Sequence, residues 1–394
     1  MISFDEAQAI IAQLEMAISY ETVPLDKAVD RVLAVAVTAR IDAPRQDVSA
    51  MDGYAVADAT AKLGDRLNVI GESFAGAGYS GRVGAGEAIR IFTGATMPNS
   101  TDRVIIQENI ERDGDMAHIV GEYGPGWHVR ERASDFASGD ELLPAGTKLT
   151  PRSLLTAAGA DRAEFIVAQH PRIAIIGTGD EITAPGTAYL QPETIPDSIT
   201  FGLGAYAELI GGNVIARHRF ADNLPDLTNA ASDALAIADI VLVTGGASVG
   251  ERDYAKMMFE PHGVELLFSK VAIKPGKPVW LGRVGGKYVL GLPGNPTSAM
   301  VTARLFLAPL LAKFQGQISP PPLQWRKLPL ACDTGPNGSR ETFVRAFWGD
   351  DGLVPLNNQS SGAQYPLAQA NWLIRHAANC AGQKQGSLVY ALEF

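Results

Sequence analysis

Two basic residues flank a rigid turn in the segment Lys274-Pro275-Gly276-Lys277-Pro278. Because the Pro-Gly pair interrupts any helix, one loop can hold both ammonium groups, and that arrangement suits a phosphate or another oxyanion. A solvated basic turn without a ligand is the alternative. Lys274 and Lys277 are therefore candidate oxyanion-binding residues, provided that other anion contacts lie beside them.

Small residues follow an apolar, β-branched stretch at Ile240-Val241-Leu242-Val243. A turn rich in glycine leaves backbone N–H groups free. At the carboxyl end of a parallel strand, such turns commonly bind anionic ligands. A tight strand-to-helix connection without a ligand is the alternative. The candidate contacts are Thr244, Gly245, Gly246, Ser248 and Gly250.

A second anion site is predicted where Pro293-Gly294-Asn295-Pro296 leads into an apolar helical stretch. Asn295 has the residue type of an N-cap, and Pro296 suits the first helical position. The free N–H groups of a helix start attract anions. A purely structural cap is the alternative.

Several carboxylates also follow predicted strands, namely Asp180, Glu181, Asp222 and Asp253. Carboxylates beside bound phosphates usually indicate a divalent cation, and ligands that are all oxygen favour Mg²⁺. Some of these acids could instead cap helices, as Asp222 could before Leu224-Pro225. The six histidines and two cysteines show no zinc-binding spacing.

Three loops in the first part of the chain carry further candidates. Asp52 precedes Gly53, which indicates either a hairpin turn or a carboxylate presented on a loop. Thr93 ends a strand-like segment. Arg130 and Asp135 lie in a charged Ser/Gly loop, which could clamp phosphate or form a solvated face.

The elements that must position these residues alternate between strand and helix across residues 171–315. Strands are predicted at 172–176, 213–220, 240–243, 265–273 and 287–292, and helices at about 199–210, 224–237, 254–259 and 296–314. This alternation predicts a doubly wound α/β domain with a mostly parallel sheet, whose ligands sit at the carboxyl ends of its strands.

The remainder of the chain predicts three further units. Residues 1–44 and 127–170 form a split N-terminal α+β domain, 45–126 an inserted β-rich domain, and 325–394 a C-terminal β domain. A proline-rich linker precedes the last of these. The predicted fold class is therefore multidomain α/β plus β.

Composition narrows the function classes. The formal net charge of −10 over 394 residues argues against a general nucleic-acid binder. We find no signal peptide and no segment with the ~20 apolar residues that span a bilayer. We therefore expect a cytoplasmic protein without a membrane partner, whose two cysteines are buried, free thiols.

At this point the motifs resemble a known family, the molybdopterin molybdenumtransferases of the MoeA and gephyrin E-domain type. The resemblance is carried by Ser49-Ala50-Met51-Asp52-Gly53-Tyr54, Thr178-Gly179-Asp180-Glu181, the Thr244–Gly250 turn, the lysine loop and Pro293-Gly294-Asn295-Pro296. These motifs cover essentially the whole chain in the family's order.

The resemblance implies four subdomains, including a C-terminal β-barrel-like domain, and an elongated homodimer with active sites between protomers. The implied reaction inserts molybdenum from molybdate into adenylated molybdopterin and releases AMP, with Mg²⁺ present. Molybdopterin adenylyltransferase and molybdoenzymes are implied as further partners.

The implied catalytic residues are Asp52, Glu181, Asp222, Asp253, Lys274 and Lys277, with the four acids as metal ligands. The implied substrate contacts are Thr93, Arg130, Asp135, Thr178, Gly179, Asp180, Asp197, Thr244, Gly245, Gly246, Ser248, Gly250, Pro293, Gly294, Asn295, Arg345 and Ser361.

Two departures from the family pattern leave alternatives open. Val48 stands where an asparagine is common, and Ile199-Thr200 follows Asp197-Ser198 where another asparagine is expected. Losing two amides could weaken substrate binding, so a molybdopterin-binding carrier without efficient insertion activity is one alternative. A molybdopterin adenylyltransferase is another, although the additional domains argue against it.

Overall fold

The computed structural model describes residues 1–245 and 254–394. A six-stranded sheet lies within residues 171–315. Four neighbouring strands are parallel and confirm the α/β prediction: Asn213–Phe220, Arg172–Thr178, Ile240–Thr244 and Lys287–Leu292.

The other two strands of this sheet correct the prediction. Trp280–Val284 was not predicted; it pairs antiparallel with Lys287–Leu292 and then with Glu265–Ser269. The strand predicted over 265–273 therefore ends at Ser269, and Ile273–Lys274 joins a different sheet. Gly285-Gly286 makes the tight connection, since glycine accepts the φ of +57° at Gly285.

Helices cover both faces of the sheet, as in a doubly wound fold. One face packs against Ile199–Leu209 and the continuous helical run over Pro296–Phe314, and the other against Leu224–Ile237 and Tyr254–Met257. The run over Pro296–Phe314 contains one π-helical segment, Ala303–Leu307.

The same 19-residue helix meets the length and composition of a membrane span, contrary to the sequence-based expectation, although 83% of it is buried inside the protein. Such burial is that of a core helix, which is apolar because it packs against protein on nearly every side.

The N-terminal helix Phe4–Gln13 has the predicted capping box, in which Ser3 accepts from the Glu6 N–H and Glu6 accepts from the Ser3 N–H. It packs into the core of the α/β sheet and reaches the C-terminal sheet. The Phe4 ring lies 5.8 Å from that of Phe306 and 5.1 Å from that of Phe343.

Residues 53–119 form a second six-stranded sheet with cores on both of its faces. Its strands in spatial order are Arg103–Ile106, Gly53–Val56, Glu87–Ile91, Arg66–Ser73, Met116–Ile119 and Ile110–Asp113. The hairpin suggested for Asp52-Gly53 is wrong, because Gly53–Val56 pairs with two strands that come later in the chain.

Short strand pairs connect this sheet to the rest of the chain. They are Tyr20–Pro24 with Glu164–Ala168, Val37–Thr38 with Glu141–Leu143, and Val48–Ser49 with Val129–Arg130. The helix Pro151–Gly159 packs beside them, as predicted.

The C-terminal unit is a sheet that closes on itself. Its strands are Glu341–Gly349, Trp372–His376, Leu388–Glu393, Arg326–Pro329 and Gly352–Pro355. A bridge between Leu330 and Leu353 completes the ring, which agrees with the expected barrel-like domain. Cys332 is exposed and Cys380 half-buried, so the expectation of buried thiols is wrong, although both are free.

We predict that Phe4→Ala destabilises the protein by about 3–5 kcal/mol, because the ring is 1% exposed and its loss leaves a cavity between three elements. Guanidinium chloride unfolding followed by circular dichroism measures the change. Gln13→Ala, an exposed substitution on the same helix, is the control and should stay within about 0.5 kcal/mol. Equal midpoints for both variants would contradict the packing role.

Candidate functional site

The lysine loop is held by two domains at once. Ile273 is buried in the α/β core, while the backbone of Ile273–Lys274 pairs in parallel with Glu341 and Thr342 of the C-terminal sheet. Gly276 has φ +100°, and a Cβ there would lie 2.2 Å from the Thr302 methyl group, so only glycine fits this turn.

Lys274 and Lys277 are both exposed, and within the described part of the chain neither ammonium forms an ion pair. They line a cleft of about 1070 Å³ together with Asn295, Ser298 and loops of the C-terminal domain. The predicted proximity of the lysine loop to Asn295 is therefore present, and the cleft offers two uncompensated positive charges to a ligand.

The carboxyl ends of the parallel strands meet beside Gly245. This glycine has φ +97°, and a Cβ on it would lie 2.1 Å from the Thr178 carbonyl oxygen. A Cβ on Gly294 would lie 3.3 Å from the Gly245 Cα. Three of the predicted substrate-contact segments are thus in direct proximity.

Two hydroxyls at these strand ends have no partner within residues 1–245 and 254–394. Thr178 and Thr244 are 1% and 3% exposed, and neither Oγ1 forms a hydrogen bond with a described residue. Buried polar atoms are nearly always satisfied by protein, water or ligand, so these hydroxyls favour a polar ligand at this edge of the sheet. Gly246, Ser248, Gly250 and Asp253 lie outside the described residues.

The acidic residues near these strand ends differ in their hydrogen bonds and in their exposure. Asp180 accepts from the Asp222 N–H at 2.9 Å, so these two strand ends are joined. Glu181 is exposed. The cap of the helix Leu224–Ile237 is Asn223, which accepts from the Asp226 N–H; the suggested capping role of Asp222 is therefore wrong.

Asp197 is buried, and both of its carboxylate oxygens accept from Thr200, at 3.1 Å from the N–H and 2.5 Å from the hydroxyl. Thr200 thus supplies hydrogen bonds that secure Asp197 at the start of the helix Ile199–Leu209. A substrate contact by Asp197 stays a prediction, and it would have to share the carboxylate with Thr200.

Asp52 is held in a separate cluster on the 45–126 unit. One carboxylate oxygen accepts from the Thr93 N–H at 2.7 Å and from its hydroxyl at 2.8 Å. Those bonds, with the charge of Arg90, lower the pKa of Asp52. Gly53 is required beside it, since a Cβ there would lie 2.1 Å from the Ile105 carbonyl oxygen.

Arg130 lies opposite Val48 in the short strand pair that precedes Asp52, and Asp135 is exposed on the following loop. Among the described residues, no hydrogen bond or ion pair joins this region to the lysine cleft. Within residues 1–245 and 254–394, no such contact therefore connects Asp52 to the cleft.

The pairing of Arg345 with Ser361 as anion contacts needs revision. Arg345 is 1% exposed and donates to the Thr297 hydroxyl and the Ser360 carbonyl, both at 3.3 Å. Burial also lowers its pKa. Its guanidinium fastens a C-terminal loop to a helix start and does not line the cleft, whereas Ser361 does.

Sequence reasoning missed other residues of the C-terminal domain that line the cleft, among them Asn337, Arg340, Thr342 and His376. Only Arg340, a cation after Asn337-Gly338-Ser339, carried a visible signal in the sequence. The others follow from a strand pairing that no sequence pattern indicated.

Asp253 lies outside the described residues, and within those residues the proposed ligands Asp52, Glu181 and Asp222 do not form one cluster. Within residues 1–245 and 254–394, no group of three or more His, Cys, Asp or Glu could hold a metal ion. Glu181 and Asp222 remain oxygen donors near the strand ends. Such a donor set fits Mg²⁺ only if phosphate oxygens and water supply most of the ligands.

Comparisons with known proteins agree with these motifs. Residues 2–160 match the model of the MoeA N-terminal region (domain I and II), and residues 174–313 match that of a probable molybdopterin binding domain. A molybdopterin molybdenumtransferase of Haemophilus influenzae is 36% identical over 331 residues, which cover 84% of this chain and 80% of the relative.

A second molybdopterin molybdenumtransferase, from Nostoc, is 33% identical over 92% of this chain and 86% of its own. Among solved structures, the molybdopterin biosynthesis moeA protein of Pyrococcus horikoshii OT3 superposes with a TM-score of 0.87 at 26% identity, covering 100% of both chains.

We predict that Thr93→Val raises the pKa of Asp52 above its wild-type value, because the hydroxyl donor is lost while the backbone donor remains. Carboxyl NMR titration with labelled aspartate measures the shift. Thr93→Ser keeps the hydroxyl and should leave the pKa near that of wild type. An unchanged value in the valine variant would refute the role of the side-chain hydrogen bond.

Proposed function

Because the chain belongs to the MoeA family of molybdopterin molybdenumtransferases, we propose that its lysine cleft and threonine-lined strand ends form the insertion site. The protein is an enzyme of molybdenum cofactor biosynthesis that acts by molybdenum insertion. Its proposed substrates are molybdate and adenylated molybdopterin, with AMP as the second product.

The observation that carries this proposal is the cleft with two lysines that have no ion-pair partner among the described residues. Molybdate is a dianion, and an adenylated pterin carries a pyrophosphate. Preorganised cations and backbone N–H groups stabilise such charge most effectively where they need not reorganise. The double anchoring of the Ile273–Lys274 strand supports such preorganisation.

The two ends of the proposed site have different tasks. Lys274 and Lys277 would hold the molybdate, while Thr178, Thr244 and the glycines beside them would hold the pterin phosphate. Asp52, an ordinary carboxylate at neutral pH whose pKa the Thr93 hydrogen bonds lower further, would orient a water molecule toward the phosphoanhydride. No covalent protein nucleophile is needed, and neither cysteine lies in a motif.

We also propose Mg²⁺, held by substrate phosphates together with Glu181 and Asp222, with Asp253 as a further predicted ligand. Bound there, the ion would neutralise phosphate charge. We propose a homodimer in the cytoplasm, because a second copy could bring Asp52 to the cleft, which no hydrogen bond or ion pair among the described residues connects to Asp52 within one chain.

A carrier without insertion activity and an adenylyltransferase are not favoured by the curated relatives. Beside the second departure, at Ile199, Thr200 donates its N–H and its hydroxyl to Asp197 and so holds that carboxylate in place.

We predict that purified protein mixed with adenylated molybdopterin, Mg²⁺ and molybdate releases AMP, measured by chromatography. Asp52→Asn and Lys274→Ala should each lower turnover at least tenfold with little change in melting temperature, because each removes one charge from the proposed site and neither side chain is buried in the core. Asp113→Asn and Lys27→Ala, charge-matched and exposed, are the controls. Tight pterin binding with no AMP from wild type would establish the carrier alternative.

Mixing the two inactive variants tests the shared site. If Asp52 acts across the dimer, subunit exchange between Asp52→Asn and Lys274→Ala creates one intact site in each mixed dimer, so activity should return to about a quarter of wild type. Persistent inactivity after exchange, confirmed by native mass spectrometry, would assign both residues to a site within one chain.

A further inference from the structure

His376 is an unusual member of the cleft wall. The residue is 3% exposed, its Nε2 is buried, and no hydrogen bond to either ring nitrogen forms within the described residues. Leaving a buried polar atom unsatisfied costs stability, so an unpaired imidazole at a cleft favours a ligand as the missing partner.

Strand register places His376 in a row with the lysine loop. Lys274 pairs with Thr342 across one strand boundary, and Thr342 pairs with His376 across the next. Directly opposed residues point to the same face of a sheet. All three line the cleft. The adjacent Phe343 also borders it, although its side chain is buried in the core of the α/β domain.

The spacing of this row suits a small anion. Lys274 and His376 are two strand spacings apart, about 10 Å between their backbones. An oxyanion that forms a hydrogen bond of about 2.8 Å to each of the two side chains fits between them, because those two bonds and the width of the ion together match this separation. Thr342 lies below it, and Asn337 donates to the Thr342 hydroxyl at 3.3 Å.

We propose that His376 is a further oxyanion-binding residue, hydrogen-bonding through its imidazole to the tetrahedral oxyanion that Lys274 attracts. This inference rests on the proposed function, since it assigns molybdate to the same cleft. Burial keeps the pKa of His376 low, so the neutral ring contributes one N–H donor.

The test is isothermal titration of full-length protein with molybdate, paired with the KM for molybdate in the AMP-release assay. His376→Leu should weaken molybdate binding and raise this KM about tenfold, the usual effect of losing a hydrogen bond to a charged group. Its melting temperature should equal or exceed that of wild type, because the ring has no hydrogen bond to lose. His376→Gln, which retains a donor, should recover most of the affinity.

His118→Leu, on the 45–126 unit, is the matched control and should bind molybdate as wild type does. If His376→Leu has a lower melting temperature than wild type, His376→Met is titrated with molybdate instead, and the same tenfold loss of affinity is expected. Wild-type affinity in the leucine or methionine variant would overturn this inference alone. Absence of AMP release from the wild-type protein would instead overturn the proposed function.

Discussion

The backbone pairing of Ile273–Lys274 with Glu341 and Thr342 is the interaction on which the rest of the site depends. It makes two residues of an α/β domain into a strand of the C-terminal sheet. Arg340 reinforces the junction by donating to the Ile273 carbonyl at 3.3 Å. Because both domains contact Ile273–Lys274, the shape of the cleft depends on the contacts that each domain makes with this short strand.

A second constraint is that the cleft keeps charge uncompensated. Other cations are neutralised by neighbouring acids, as Arg375 is by Glu341 and Asp5. Placing a carboxylate beside Lys274 or Lys277 would stabilise the free protein but would compete with an anionic substrate. The hydroxyls of Thr178 and Thr244, which have no partner among the described residues, are a similar case. Leaving them without a hydrogen bond lowers the stability of the free protein and keeps them available to a ligand.

Much of the fold was predictable from local pattern. The parallel strands, the capped N-terminal helix and the helix Pro151–Gly159 follow from periodicity and capping residues. Trp280–Val284 was missed because Gly282 and Arg283 interrupt its apolar pattern. The motifs indicated the lysine loop and the strand ends as candidate binding segments, and their role in binding stays a prediction. They could not reveal that Arg345 is buried or that His376 shares a row with Lys274, because both depend on long-range pairing.

The position of Phe4 also bears on how the chain is made. Its ring contacts Phe306, Trp325 and Phe343, which are synthesised more than 300 residues later. At a synthesis rate of about 5–20 residues per second, these aromatic partners are synthesised tens of seconds after the N-terminal helix. This early helix is thus among the last elements to pack, and its apolar face stays uncovered until then. Burial of Phe4 therefore makes the completion of this core depend on the synthesis of Phe343.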